Sequence, residues 1–343
     1  MIDLASDTVT RPTAPMLEAM ANSPVGDDVF GLDPTVNALQ EKAADLFGMQ
    51  AALFCPSGTM SNQIAINIHT RPGDEIICHS LAHIYLYEGG GLMANSGASV
   101  KLLGTPDGLM TPADIEPAIN NADDPHAPRS RVVALENTSN KGGGTCYDFA
   151  TVKAIGDIAA KNHLAYHLDG ARLFNALVES GDSPLQYGRC FDSISICLSK
   201  GLGCPVGSLL LGEHDFIREA VRVRKRLGGG WRQAGYLAGA GIYALDNNID
   251  RLRDDHARAA RLGRCLERQS WVSSVNPVQS NIVIFHTTTE EQALRIAEAF
   301  MRRNVRVSHL GHKVLRMVTH LDVDDAQIEQ VCDIANDLPE TPE

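Results

Sequence analysis

Asp169 and Lys200 stand thirty-one residues apart, and each follows a short apolar run. Leu164-Ala165-Tyr166-His167-Leu168 leads into Asp169-Gly170-Ala171-Arg172, and Ile194-Ser195-Ile196-Cys197-Leu198-Ser199 leads into Lys200-Gly201-Leu202-Gly203. Runs of this length bounded by glycine predict buried parallel strands. Ligands of such sheets sit at the strands' carboxyl ends. An aspartate and a lysine there can hold opposite ends of one flat cofactor. Pyridoxal phosphate (PLP) needs that pair, a lysine for a Schiff base and a carboxylate to keep the pyridine nitrogen protonated. Taken singly, Asp169 could cap a helix, Arg172 could pair with it, and Lys200 could be a solvated loop residue. Taken together, in this order, they point to a PLP enzyme.

Pro56-Ser57-Gly58-Thr59-Met60-Ser61-Asn62 follows apolar Ala52-Leu53-Phe54 and opens an apolar helix. Free backbone N–H groups and a positive dipole end make such a turn a natural phosphate cradle. Ser57 or Thr59 as a plain N-cap is the competing reading. Rival nucleotide signatures are weak: Gly201-Leu202-Gly203-Cys204-Pro205-Val206-Gly207 is one residue too long for GxGxxG, and no GxxxxGK[ST] occurs. His83, ahead of Gly89-Gly90-Gly91, could project into a cleft. His126, in the polar loop Asp123-Asp124-Pro125-His126, reads as a surface residue by composition. Gly228-Gly229-Gly230-Trp231-Arg232 is a helix terminus or a second phosphate contact.

Elements must position these groups. Prolines and glycines punctuate residues 1–33, which read as an irregular arm. A first helix is expected over Thr35 to Phe47. From Ala51 to Leu211 strands alternate with helical stretches, an α/β sheet with helices on both faces. Residues from about Gly235 to Gln269 read as one long helical region, with Arg251, Arg253, Asp254 and Asp255 as a solvated face. The tail is a small α+β domain. The division is therefore an arm (1–33), a large α/β domain (34–245) and a small domain (246–343), with Pro339 to Glu343 expected to be disordered.

Length alone, 343 residues, allows a core that needs neither disulfide nor structural metal. A formal charge of −12 disfavours nucleic acid and anionic membranes as partners. The eight cysteines form no CxxC pair and read as reduced thiols; no metal site is expected. With neither a signal-peptide pattern nor a membrane-length apolar stretch, the chain reads as cytoplasmic.

Ser6-Asp7-Thr8-Val9-Thr10-Arg11-Pro12, Gly26-Asp27-Asp28-Val29-Phe30-Gly31, Pro56-Ser57-Gly58-Thr59, His167-Leu168-Asp169-Gly170-Ala171-Arg172 and Leu198-Ser199-Lys200-Gly201-Leu202-Gly203 together resemble the low-specificity L-threonine aldolases. Gly228-Gly229-Gly230-Trp231-Arg232-Gln233 and Arg316-Met317-Val318-Thr319-His320 extend the match towards the C-terminus. The resemblance implies a fold-type-I PLP enzyme, a homotetramer with shared active sites, that splits L-threonine and related L-β-hydroxy-α-amino acids into glycine and an aldehyde. It implies Lys200 as the Schiff-base lysine, Asp169 on the pyridine nitrogen and Arg172 beside the phenolic oxygen. Ser57, Gly58 and Thr59 should hold the phosphate, with Lys225 and Arg232 of a neighbouring subunit. His83 should stack on the ring, and Ser6, Arg172 and Arg316 should grip the substrate carboxylate. His83 is the leading base for the β-hydroxyl, with His126 or a water next. Ser139 stands where many relatives carry histidine, so no role of that histidine transfers. A β-eliminating lyase or an aminotransferase would share Lys200 and Asp169. A metal-dependent hydrolase has twelve histidines to draw on but no HExxH pattern.

Overall fold

The computed structural model describes residues 1–105 and 107–338. A seven-stranded sheet forms its centre: β1 (Ala51–Cys55), β2 (Glu75–His79), β3 (Ser99–Leu103), β4 (Ser130–Glu136), β5 (Ala165–Gly170), β6 (Ser193–Cys197) and β7 (Ser208–Gly212). Their spatial order is β1-β7-β6-β5-β4-β2-β3. All run parallel except β7, which is antiparallel to both β1 and β6. Every residue of β6 and β7 is buried; β7 carries the apolar run Leu209-Leu210-Leu211, whereas β6 alternates Ile194 and Ile196 with the buried serines Ser193 and Ser195. β5 and β6 are neighbours with Asp169 opposite Ser195, so the chain beyond β6 carries Lys200 to the same sheet end as Asp169.

A second, smaller unit holds an antiparallel sheet in the order Ser308–His309, Val314–Val318, Ile282–His286, Ser274–Val275, covered by the helices Leu252–Leu266, Glu290–Arg302 and Asp325–Asp337. It has its own core around Trp271, Phe285 and Phe300. The strand Val314–Val318 carries Arg316 towards the large sheet.

The N-terminal segment is more ordered than its prolines suggest. Ile2–Asp3 pairs in parallel with Val305–Arg306, and Ile2 and Leu4 enter the small core. Ala14–Ala21 then forms a helix whose Met16 is fully buried in the large core. Pro15 does not prevent it, because in the first turn the missing N–H has no helical acceptor to lose. Residues 1–33 thus bridge the two cores and lead Ser6, Asp7 and Thr8 past the sheet end.

The single helical region expected over Gly235 to Gln269 is two helices, Gly235–Asn247 and Leu252–Leu266. The first packs Ala238, Ala240 and Ala244 into the large core, whereas Ala259, Leu262 and Leu266 enter the small one. One straight rod cannot serve both, and the break carries Asn248, whose Nδ2 donates to the Leu202 carbonyl (2.7 Å). The charged face is not wholly solvated either. Asp255 is fully buried and hydrogen-bonded by Arg251. The expected disorder of Pro339 to Glu343 lies outside the described residues.

Candidate active site

The helix Gly58–His69 begins where the sequence predicts a cradle. Ser57 caps it, its Oγ accepting from the Met60 N–H (3.2 Å). Gly58 and Thr59 lie in the first turn, where N–H groups lack intrahelical acceptors and an anion is favoured. A Cβ on Gly58 would come within 2.5 Å of Cys197 Sγ. The turn therefore packs directly on the end of β6, and only glycine fits. Lys200 Nζ sits 3.4 Å from that same sulfur.

Asp169, next to last in β5, is almost fully buried. Its Oδ1 accepts from the Ala171 N–H (3.2 Å) and its Oδ2 from Asn62 Nδ2 (2.9 Å). Asn62 also donates to Glu88 Oε1 (2.9 Å), which lies 3.0 Å from His83 Nδ1. His83, Glu88 and Asp169 bring ligand-type atoms within 4.8 Å of one another. The Asn62 amide nevertheless engages both carboxylates, the pattern of a hydrogen-bonded cluster. Burial opposes charge on the His83 ring, but the Glu88 hydrogen bond and the Asp169 and Glu136 charges raise its pKa above the ordinary value.

A cavity of about 290 Å³ opens in front of these groups. Ser6, His83, Arg172, Lys200 and Arg316 line it, with Asn140 between the two arginines. Ser6 Oγ accepts from the N–H and the hydroxyl of Thr8 (3.2 and 2.8 Å). Arg172 grips Asp7 with two parallel bonds, Nε to Oδ2 (2.8 Å) and Nη2 to Oδ1 (2.6 Å). Burial works against the Asp7 charge, but Arg172, Lys200 and Asn281 outweigh it and hold the carboxyl at about 2. Arg316 donates from Nη1 to Asn140 Oδ1 (3.1 Å) and from Nη2 to the Ala5 carbonyl (3.0 Å), while its buried Nε has no partner. Burial and the Arg172 charge lower its pKa.

Glu136 closes the back of the cavity. It accepts from the backbone N–H groups of His83 (3.0 Å) and Asn140 (3.1 Å). Burial and the nearby Asp169 charge push it up to about 7. Asp7, Asn62, Glu88, Glu136 and Asn140 were not singled out from sequence as site residues, although Asp7 and Asn62 lie inside stretches that carry the resemblance and the phosphate turn. Local spacing gives no sign that they converge.

Of the predicted site residues, Ser6, His83, Arg172, Lys200 and Arg316 line this cavity. Asp169 and the Ser57–Thr59 turn adjoin it through Asn62, His83 and Cys197, whereas His126, Lys225 and Arg232 are not brought to it. His126 is exposed on the loop before β4, and the far end of that strand carries Glu136. A loop at the amino end of a strand does not reach its carboxyl end. Lys225, in the helix His214–Arg226, lines a separate cavity of about 640 Å³. Arg232 is mostly exposed and pairs with Asp27 (2.8 Å). Ser139, at the position that departs from the resemblance, is buried and accepts from the Gly142 N–H (3.3 Å) within a tight turn.

The residues present fit PLP. Lys200 offers an amine, Asp169 a buried carboxylate, and the turn at Gly58 an anion cradle beside that amine.

Comparison with known proteins agrees. The beta-eliminating lyase family model matches residues 3–290. A low-specificity L-threonine aldolase of Escherichia coli K12 is 44% identical over 331 residues, covering 96% of this chain and 97% of that protein. Among solved structures, the Leishmania major threonine aldolase superposes with a TM-score of 0.83 at 23% identity, over 98% of this chain and 99% of that one. A serine palmitoyltransferase from S. paucimobilis, solved with bound PLP–myriocin, matches at TM-score 0.75 and 18% identity, over 97% and 86% of the two chains. The fold is thus that of the fold-type-I enzymes, and the chain belongs to the low-specificity L-threonine aldolases within the beta-eliminating lyase family.

Proposed function

We propose that this chain cleaves L-threonine, L-allo-threonine and related L-β-hydroxy-α-amino acids to glycine and an aldehyde, using PLP. The observation that carries the reading is the convergence of Lys200, Asp169 and the Gly58 turn beside two arginines, in a chain 44% identical to a threonine aldolase over nearly its whole length. Lys200 would hold the cofactor covalently, Asp169 would meet its ring nitrogen, and Ser57, Gly58 and Thr59 would take its phosphate. Bound there, PLP supplies a sink for the electron pair released when the Cα–Cβ bond opens.

The chain's own residues set the geometry. Arg316 and Ser6, which both line the cavity, bind the substrate carboxylate and so fix rotation about Cα. Such positioning is worth several kcal/mol of barrier. Arg172 is tied to Asp7 through Nε and Nη2, so it presents only its Nη1 edge, which already reaches Asn140 Oδ1 (3.3 Å). His83 is the base we favour for the β-hydroxyl proton. Glu88 accepts from Nδ1–H, so the neutral ring keeps its lone pair on Nε2. The same ring is proposed to lie against the cofactor.

Lys225 and Arg232 act, in this reading, on the site of a second copy, as expected for a homotetramer with shared sites. The described helices include none long and apolar enough to cross a membrane. The eight free thiols suit the reducing cytoplasm we propose for this chain.

The test is chemical. Purified protein supplied with PLP should gain a visible absorbance band that shifts on adding glycine, and L-threonine should yield glycine and acetaldehyde in equal amounts. Ammonia or a keto acid in their place would make it a β-eliminating lyase or an aminotransferase.

A further inference from the structure

Between Asp169 and the amino end of the sheet runs a line of buried polar side chains that the proposed chemistry leaves unused. Asn62 donates from Nδ2 to Asp169, and its Oδ1 lies 3.1 Å from His167 Nε2. His167 Nδ1 lies 2.8 Å from Ser193 Oγ, and Ser193 Oγ lies 2.8 Å from His69 Nε2. The secondary structure aligns them. His167 and Asp169 are two apart on β5 and share a face. Ser193 is the register partner of His167 on β6. Asn62 and His69 are seven apart on one helix, along one stripe. Asn62, His167 and Ser193 are essentially inaccessible to solvent. Burying so many polar groups is costly unless every one is paired.

The bond directions are forced. Carboxylates accept, so Asn62 must turn its NH₂ towards Asp169 and Glu88 and its carbonyl towards His167. His167 must then donate from Nε2. Burial, with His69 nearby, outweighs a hydrogen bond to the Ser193 backbone and drives its pKa down to about 3. The ring is therefore neutral and, with its one proton on Nε2, Nδ1 is an acceptor. Ser193 donates to that Nδ1 and accepts from His69 Nε2–H. His69 is held neutral by burial as well, at about 4, and stacks on Phe216. Every donor in the line points towards Asp169, and bonds aligned in this way strengthen one another. An Asn62 amide turned the other way would set its carbonyl against two carboxylates.

We propose that His167, locked as its Nε2–H tautomer by Ser193 and His69, is a positioning residue that fixes the Asn62 amide and thereby aims Asp169 at the cofactor's ring nitrogen. The idea rests on the PLP reading above. His167 acts through Asn62. The two carboxylates set which way the amide faces, and the His167 Nε2–H anchors its carbonyl so that the amide stays aimed at them.

Nitrogen-15 NMR of the apoenzyme, labelled in histidine, tests the lock without any cofactor. His167 should appear as the Nε2–H tautomer, and the Nδ1–H form would overturn the proposal. Two substitutions then separate a donor from mere volume. Glutamine can place an amide N–H near the former Nε2 position, whereas asparagine reaches only the Nδ1 position. His167→Gln should keep PLP affinity within about threefold of wild type, with the ring nitrogen of ¹⁵N-labelled PLP still protonated. His167→Asn should weaken PLP binding about tenfold or more and move that nitrogen towards its unprotonated signal. Equal behaviour of the two variants would overturn the idea.

If His167→Asn fails to fold, Ser193→Ala is gentler. It removes the donor to Nδ1 and should weaken PLP binding several-fold, with Ser193→Thr restoring it; unchanged PLP affinity in Ser193→Ala would overturn the part given to Ser193 and His69. Wild-type protein that takes up no PLP would instead sink the proposed function, leaving the tautomer measurement to judge this inference alone.

Discussion

Asp169, Lys200 and the Gly58 turn sit on neighbouring elements of one sheet, whereas Ser6, Asn140 and Arg316 come from the N-terminal segment, the loop after β4 and the small unit. The first group is fixed by strand register and by a helix packed on the strand ends. The second is assembled through single long-range contacts: Arg316 to the Ala5 carbonyl, Arg316 and Arg172 to Asn140, Arg172 to Asp7. A sheet end makes a rigid cofactor seat. A set of clasped segments makes a substrate seat whose parts can be changed one at a time. The comparison predicts that changes in the first half act on cofactor binding, and changes in the second on substrate orientation.

The largest expected effect is Lys200→Ala. It should abolish the shift of the absorbance band with glycine and lower threonine cleavage by at least about 10³-fold, because no other amine among the described lining residues sits beside the Gly58 turn. Lys141 also lines the cavity but lies over the Tyr87 ring. Residual activity near wild type would mean that the sheet end is not the cofactor seat.

Next come the two histidines. His83→Asn should cost about 10²–10⁴-fold in kcat if it is the base. His126→Asn should stay within a few-fold, given its place on an exposed loop before β4. An equal loss for both would mean that a second copy delivers His126 to the substrate half.

The contrast between the halves also explains what could be read from sequence. Asp169 and Lys200 were legible because short, largely apolar runs followed by glycine mark the carboxyl ends of buried strands, and both residues stand at such ends. The Gly58 turn was legible because a cap and a small residue must open a helix there. Asp7 was not, since nothing local says that Arg172, 165 positions away, will grip it. Asn62 looks like any polar residue on an amphipathic helix until β5 is placed under it. The break at Asn248 was invisible because helical periodicity continues on both sides and only the target core changes. Loops such as the one carrying His126 fail for the opposite reason. Their composition was informative, and the structure agrees with it: the residue is exposed.

Arg172 and Arg316 offer a sharper cut within the substrate half. Arg172→Ala leaves Asp7 buried and unpaired, a loss of about 3–5 kcal/mol in stability by general experience with broken buried ion pairs. Arg316→Ala removes two hydrogen bonds, to Asn140 and the Ala5 carbonyl, but leaves no buried charge unpaired, and should cost about 1–2 kcal/mol. It should nonetheless lower kcat/KM about 10²-fold. Urea unfolding and steady-state kinetics on both variants would show whether one arginine mainly holds the fold and the other mainly holds the substrate. Matching stability losses would erase the distinction.

Acid separates the halves by a smaller margin, through proton linkage. His167 and His69 have pKa values depressed by burial to about 3 and about 4 from 6.5. The unfolded chain therefore binds more protons than the folded one as soon as pH drops below 6.5. Their contribution to stability is complete above 6.5 and is lost as pH falls through the folded values. Asp7 is depressed from 3.8 to about 2, so its share, about 2 kcal/mol, is complete above 3.8 and is lost only as pH falls through about 2. Acidification should thus strain the cofactor half first and the Asp7–Arg172 clasp last. Urea midpoints measured from pH 7 to pH 2.5 should show this order. His167→Gln should flatten the slope between pH 6.5 and about 4. Asp7→Asn should start from a lower midpoint and lose the slope below 3.8 while keeping the upper one. A single slope removed equally by either substitution would show that the two halves are one electrostatic unit.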